Sequence, residues 1–179
     1  MKDKAKYWKE YILPKVIRQS FSPRIQKDLV SLKPPNFAEK LSSSYIHGQV
    51  NTGKTIYACQ MLLELKRQAY IAGQGLEICF IKVSDLFSQL KDIYETKGSE
   101  STLLQKLKDV DALVLDDLGL EKNSEWAYQI LFSLIDYRYE FMKFTIFTSN
   151  FSLDELADKL GDQRITSRIE RMAQIQLIS

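Results

Sequence analysis

Apolar and polar residues follow one another in blocks that predict strands separated by helices. Short, dense apolar runs bounded by glycine or polar residues are typical of strands buried in a sheet. Such runs, with a final alternating segment, predict strands at 45–47, 76–83, 111–115, 144–147 and 173–178. Apolar residues at three- and four-residue intervals predict helices at 56–69, 86–94, 102–108, 124–141, 153–160 and 164–172. The pattern therefore indicates an α/β fold.

The first 35 residues differ from the rest of the chain in pattern and charge. Apolar residues at helical spacing between Tyr7 and Ile17 predict an amphipathic helix that is interrupted at Pro14. A second short helix is predicted at 24–32, followed by a proline-containing linker. We therefore predict two parts, a basic helical leader (1–35) and a core domain (36–179).

The charge of the leader raises the question of an anionic partner. Residues 1–40 hold ten Lys or Arg against four Asp or Glu, whereas the remainder of the chain is acidic. A basic arm indicates a partner such as nucleic acid, and a solvated helix surface is the alternative. Trp8 and Tyr11 are expected to pack on the core rather than to bind a partner or stack on a base.

Composition narrows the class of protein. The 179 residues are 45% hydrophobic and 27% charged, as in a soluble globular protein. No apolar run approaches the length of a membrane span, and the N-terminus is charged and lacks the apolar core of a secretory signal. We therefore expect a cytoplasmic protein without a membrane partner. Cys59 and Cys79 are expected to be free thiols.

The segment from Gly48 to Thr55, GQVNTGKT, carries the strongest chemical signal. Its glycines let backbone N–H groups turn toward phosphate oxygens, and the following helix points its positive dipole end at them. Lys54 can reach the β- and γ-phosphates of a nucleotide, and the Thr55 hydroxyl can bind Mg²⁺. A plain glycine turn is the alternative. The predicted phosphate-binding residues are Gly48, Gln49, Val50, Asn51, Thr52, Gly53, Lys54 and Thr55.

Polar side chains at the ends of two predicted strands complete a phosphate site. Asp116 and Asp117 follow the apolar run at 111–115, and Asn150 follows the run at 144–147. Asp116 is expected to hold Mg²⁺, and Asp117 to polarise an attacking water molecule. Asn150 could hydrogen-bond that water or the γ-phosphate. The alternatives are capping aspartates in a turn and an ordinary turn asparagine.

Three arginines share one face of the predicted helix at 164–172. Arg164 and Arg168 are four residues apart, and Arg171 follows three residues later. The alternative to a functional role is a pair of surface salt bridges.

Taken together, these residues resemble the AAA+ ATPases of the DnaC/DnaI helicase-loader and IstB transposition-helper group. The resemblance covers roughly residues 40–179. GQVNTGKT (48–55) resembles Walker A, ALVLDDLG (112–119) Walker B, FTSN (147–150) sensor 1, and GDQRITSRIERM (161–172) box VII. It implies a P-loop NTPase core with five parallel strands in the order 5-1-4-3-2. The chain ends eight residues after Arg171, so we expect no C-terminal lid domain.

The resemblance also implies roles for individual residues. It implies ATP and Mg²⁺ as cofactors, with Asp116 binding the metal, Asp117 at the position of the catalytic acid and Asn150 sensing the γ-phosphate. It places Arg168 as the arginine that reaches into a neighbouring subunit's nucleotide, with Arg164 as its helper. It implies weak ATP hydrolysis, stimulated by self-assembly and DNA.

The expected function is DNA replication, as a helicase loader or loader-like factor on single-stranded DNA. The expected partners are single-stranded DNA, a replicative helicase or another replication protein, and further copies of this chain on ATP binding. One alternative is an IstB-like transposition helper that prefers duplex DNA and binds a transposase. Another is a phage-like regulatory module that binds ATP and a replication protein with little turnover. A small-molecule kinase is disfavoured, because no arginine-bearing lid insertion is seen.

Overall fold

A computed structural model describes residues 3–37, 41–95, 100–119 and 124–179. Its strands are β1 (Ser44–His47), β2 (Ile78–Lys82), β3 (Ala112–Leu118), β4 (Phe144–Ser149) and β5 (Gln174–Leu177). Its α-helices are α1 (Lys4–Tyr7), α2 (Leu13–Ser20), α3 (Pro23–Ser31), α4 (Lys54–Ala72), α5 (Val83–Glu95), α6 (Glu100–Asp109), α7 (Glu125–Glu140), α8 (Leu153–Leu160) and α9 (Arg164–Met172). A π-helical turn, Trp8–Ile12, joins α1 to α2.

The strands form one sheet in the order β2-β3-β4-β1-β5, and every pair is parallel. The predicted order 5-1-4-3-2 is therefore confirmed, as is the P-loop NTPase fold. The carboxyl ends of β1, β3 and β4 lie at the same edge of a parallel sheet. That edge is the one to which the phosphate loop, the aspartate pair and Asn150 belong.

Two hydrophobic clusters cover the two faces of the sheet. Successive residues of β3 point to opposite faces, so Leu113 and Leu115 belong to one cluster and Ala112 and Val114 to the other. The first cluster is filled by α5 to α9, and the second by α4 and the leader. No helix in the described ranges is both long and apolar enough to cross a bilayer.

The leader packs along its apolar face onto α4 and the sheet. Trp8 is 3% exposed and lies against Tyr70 of α4, as predicted, whereas Tyr11 is 54% exposed. The expectation that Tyr11 would also pack on the core was therefore wrong. Pro14 does not interrupt the helix, because the π-helical turn precedes it and places it in the first turn of α2, where its missing N–H is tolerated. The division of the chain at residue 35 stays a prediction.

Several element boundaries differ from the prediction, and those of β3 and α5 change where predicted residues lie. The third strand extends through Leu118, so Asp116 and Asp117 lie within β3 rather than after it. The helix predicted at 86–94 instead begins at Val83, directly after β2. Helix α8 begins with a capping box formed by Ser152 and Glu155.

Candidate active site

The phosphate loop connects β1 to α4, which begins at Lys54. Three of its residues have positive φ: Gly48 (147°), Asn51 (67°) and Gly53 (86°). Backbone turns of this kind can direct successive N–H groups into one concave, anion-binding surface. At Gly48 a Cβ would clash with the carbonyl oxygen of Ile178, so only glycine fits between the loop and the residues after β5.

Lys54 holds its ammonium group inside the loop. The residue is 6% exposed, and its Nζ donates hydrogen bonds to the carbonyl oxygens of Gly48 (2.9 Å) and Gln49 (2.5 Å). Burial lowers the pKa of Lys54, and the negative charges of Asp117 and Asp116 oppose that shift. The cation is thus positioned beside the acidic residues and within reach of an anion bound in the loop.

Asp116 is fully buried and is hydrogen-bonded to residues of both α4 and β4. Its Oδ1 accepts hydrogen bonds from the hydroxyls of Thr55 (2.8 Å) and Thr148 (2.7 Å). Its Oδ2 is buried without a hydrogen-bond partner among the described residues. Burial raises the pKa of Asp116, and the hydrogen bond from Thr148 opposes that shift.

These atoms fit a magnesium site. Mg²⁺ takes oxygen ligands and usually keeps several of its waters, so one carboxylate and one hydroxyl beside a phosphate group are sufficient. Asp116 Oδ2, which accepts no hydrogen bond from the described residues, and the adjacent Thr55 hydroxyl provide such a pair. The predicted ligands, Thr55 and Asp116, are therefore in direct contact.

A β-bulge gives the two adjacent aspartates different environments. The pairing of β3 with β4 shifts register between Leu115 and Leu118, and Asp117 has a φ of 62°. Its N–H donates to the Thr148 hydroxyl (2.9 Å). Asp116 is consequently buried under the site while the Asp117 side chain remains 30% exposed at its surface.

A cavity of about 570 Å³ brings most of the predicted site residues together. Lys54 and Thr55 line it from α4, Asp117 from β3, and Asn150 from the end of β4. The remaining lining residues are Ser22, Arg24, Ile25, Asp28, Leu32, Val50, Asn51, Gly53, Ile56 and Lys82.

Lys82 is a site residue that the sequence reasoning missed. It ends β2, and its Nζ lies 3.3 Å from Asp117 Oδ2 and 3.9 Å from Asp116 Oδ2. The available signal is a cation near the end of the mostly apolar run at 76–83, and that run by itself predicts only a strand. Thr148, which contacts both aspartates, is a second missed site residue, because its position near the end of a strand gives no sign of a functional role.

The wall formed by α3 was also missed. Arg24, Ile25 and Asp28 of the leader line the cavity. Helical spacing predicts the helix but gives no information on where it docks, so no signal in the sequence could have found this contact.

Arg164 and Arg168 do not line this cavity. Both lie on α9, where Arg164 pairs with Asp162 (2.8 Å) and Arg168 with Asp136 of α7 (2.5 Å). The structure thus separates the two arginines from the phosphate loop of their own chain.

Comparisons with known proteins agree with this fold. The family model described as "IstB-like ATP binding protein" matches residues 16–174. The replicative helicase loader DnaC of Escherichia coli (strain K12) is 29% identical over 128 residues, which are 71% of this chain and 50% of that protein. The replicative helicase loader DnaI of Bacillus subtilis (strain 168) is 28% identical over 126 residues, 70% of this chain and 38% of that protein. The chain thus spans about half or less of these relatives' length.

Solved structures give the same grouping. A crystal structure of the DnaC helicase loader has a TM-score of 0.64 at 29% identity and covers 87% of this chain and 86% of that one. A crystal structure of DnaI has a TM-score of 0.64 at 27% identity and covers 87% of this chain and 81% of that one. AMPPCP-bound DnaA from Aquifex aeolicus, at 23% identity and a TM-score of 0.63, shares the fold.

Proposed function

The chain belongs to the IstB-like ATP binding protein family, in the AAA+ group with DnaC and DnaI, and from this premise we propose that it is an ATPase of DNA replication. It acts as a helicase loader or loader-like factor on single-stranded DNA. The observation that carries this proposal is the convergence of Lys54, Thr55, Asp116, Asp117 and Asn150 at one edge of the sheet.

In this proposal a nucleoside triphosphate lies with its phosphates against the Gly48–Thr55 loop. Lys54 exchanges its two carbonyl partners for β- and γ-phosphate oxygens, which are the stronger acceptors. Thr55 and Asp116 hold Mg²⁺, which neutralises phosphate charge when it is bound. The α3 residues that line the cavity then border the nucleotide.

Hydrolysis requires a polarised water molecule in line with the γ-phosphate. Asp117, the more exposed acid, accepts a proton from that water, and Asn150 orients the water or the γ-phosphate through its amide. Lys82 pairs with Asp117 (3.3 Å) and so orients its carboxylate at the cavity. Arg168 of a neighbouring copy completes the site, with Arg164 as its helper, because neither arginine lines the cavity of its own chain.

A second candidate function is an IstB-like transposition helper, which the family model favours by name. It predicts a preference for duplex DNA, whereas a loader prefers single strands. A regulatory module that binds ATP with little turnover is a third candidate. Measuring ATP-dependent assembly on single-stranded and duplex DNA of equal length separates the first two, and turnover on either DNA tests the third.

The mechanism is tested by steady-state ATP hydrolysis as a function of protein concentration. Turnover per chain should rise with concentration and with DNA, and Arg168→Ala should lower it by about 10³-fold or to background while ATP affinity is unchanged. Arg171→Ala, an exposed arginine on the same helix, is the matched control and should retain activity. Unchanged turnover in Arg168→Ala would show that the arginine does not act between subunits.

The replication role is tested by co-purification. The Asp117→Asn variant should retain ATP without hydrolysing it, and in that state should hold a purified replicative helicase on a column. Lys54→Ala, which cannot bind the phosphates, is the control for nucleotide dependence. Retention of a transposase instead of the helicase would favour the transposition helper.

A further inference from the structure

The face of α9 that carries Arg164 and Arg168 packs on a matching row of α7 residues. Tyr128, Phe132 and Asp136 are spaced four residues apart on α7, and so are the two arginines on α9. The Tyr128 and Phe132 rings are parallel within 9°, with centroids 6.2 Å apart. Helix α7 therefore presents an aromatic surface to the two arginine side chains of α9.

Both guanidinium groups lie on these rings. The central carbon of Arg164 is 5.4 Å from the Tyr128 ring centre and 5.1 Å from that of Phe132, and Arg168 is 4.9 Å from Phe132. Phe132 thus contacts two cations. Each cation also has its own carboxylate, Asp162 or Asp136, which offsets their mutual repulsion.

Each of the two arginines uses Nε and one outer nitrogen on partners within its own chain. Arg164 uses both Nε and an outer nitrogen on Asp162. Arg168 uses Nε on Asp136, and one NH1 hydrogen on the backbone oxygen of Arg164 (3.3 Å). Its NH2 makes no hydrogen bond within the described part of the chain, and its side chain is 29% exposed. Arg168 is therefore anchored at its inner end with the outer end available.

We propose that Phe132 and Asp136 are positioning residues that hold Arg168 with its outer nitrogens toward a second copy of this chain, where they contact the bound nucleotide. This inference rests on the proposed function. A free arginine side chain loses rotamer freedom when it binds a phosphate, and ordering it beforehand on a ring and a carboxylate reduces that loss. The triphosphate of the second copy supplies the anion that the remaining donors fit.

Phe132→Leu and Asp136→Asn test the two contacts separately. Leucine keeps apolar volume but removes the ring face, and asparagine keeps an acceptor but removes the charge. Each variant should lower turnover at saturating ATP by about 3- to 10-fold, with KM for ATP and the melting temperature near wild type. Phe132→Tyr should retain activity. Phe141→Leu is the matched control, since Phe141 is an exposed ring at the end of the same helix.

Mixing with the Asp117→Asn variant shows in which subunit Phe132 acts. That variant hydrolyses no ATP itself but carries an intact Arg168, Phe132 and Asp136. In a mixed assembly it should restore turnover at the sites of Phe132→Leu and Asp136→Asn chains. Wild-type activity of both variants alone, or lost activity that mixing does not restore, would overturn the inference.

The same mixing experiment separates this inference from the proposed function. Arg168→Ala should also be restored by Asp117→Asn. Failure of that rescue would contradict the intersubunit arginine itself. If Arg168→Ala is restored while Phe132→Leu and Asp136→Asn are fully active alone, the arginine acts between subunits but needs neither positioning residue.

Discussion

Replacing Arg138 of α7 should lower the free energy of unfolding more than most substitutions, although the residue is far from the phosphate loop in sequence. Its side chain is fully buried, and burial lowers its pKa to about 10, so it stays charged at neutral pH. Its partners are neutral oxygens at the end of α6 and the starts of β3 and β4: Leu107 O (2.8 Å), Lys108 O (3.2 Å), Val110 O (2.9 Å), Phe144 O (2.7 Å) and Thr145 Oγ1 (2.9 Å). One cation therefore satisfies four carbonyl groups and ties α7 to the sheet.

Arg138→Met keeps an unbranched apolar stem, which is shorter than arginine, and removes every donor. A buried acceptor left without its donor costs about 1–3 kcal/mol, and part of that is recovered where water can enter. With four carbonyls affected, we expect the free energy of unfolding to fall by about 3–5 kcal/mol. For a domain of this size that corresponds to a decrease in melting temperature of about 6–20 °C.

Thermal and urea unfolding followed by circular dichroism measure this change. Arg18→Met is the matched control, because Arg18 is exposed and bonds a single carbonyl, and it should change stability by less than about 0.5 kcal/mol. Arg138→Lys should lose less than Arg138→Met, since one ammonium can still serve some of the carbonyls. If Arg138→Met unfolds within about 1 kcal/mol of wild type, the carbonyls do not depend on this cation.

Two further predictions concern the site itself. Asp116→Asn should raise the melting temperature of the metal-free protein at neutral pH and abolish its stabilisation by Mg-ATP, because the raised pKa of Asp116 means that its charged form opposes folding. Because the pKa of Asp116 is higher in the folded than in the unfolded protein, the metal-free wild type should become more stable as pH falls through the raised pKa toward the unfolded value of about 3.9. Asp116→Asn should lack this gain in stability. Parallel pH profiles of stability for the two proteins would contradict the argument. Gly48→Ala should cost at least about 1–3 kcal/mol in unfolding experiments, because a Cβ there meets the Ile178 carbonyl and the φ of 147° disfavours a side chain. Gly75→Ala, with open space around it, is the control, and equal melting temperatures for the two variants would refute the clash.

Much of the site could be predicted because its signals are local. The Gly48–Thr55 loop, the pair Asp116–Asp117 and Asn150 each stand next to an apolar run, and parallel strands bring such positions to one edge. The bulge at Asp117 could not be predicted, because it depends on the register of β3 against β4. The acids were thus assigned correctly to the sheet edge but incorrectly placed beyond the end of their strand.

The sequence by itself determined the order of strands and helices and the residue types available for phosphate and metal, because spacing and periodicity are properties of consecutive residues. Only the tertiary structure decided which distant side chains meet. Lys82 reaches Asp117 across 35 positions, and Arg168 reaches Asp136 across 32. The α3 wall of the cavity depends likewise on how the leader docks. Contacts of this kind follow from the packing of whole elements, which no local pattern specifies.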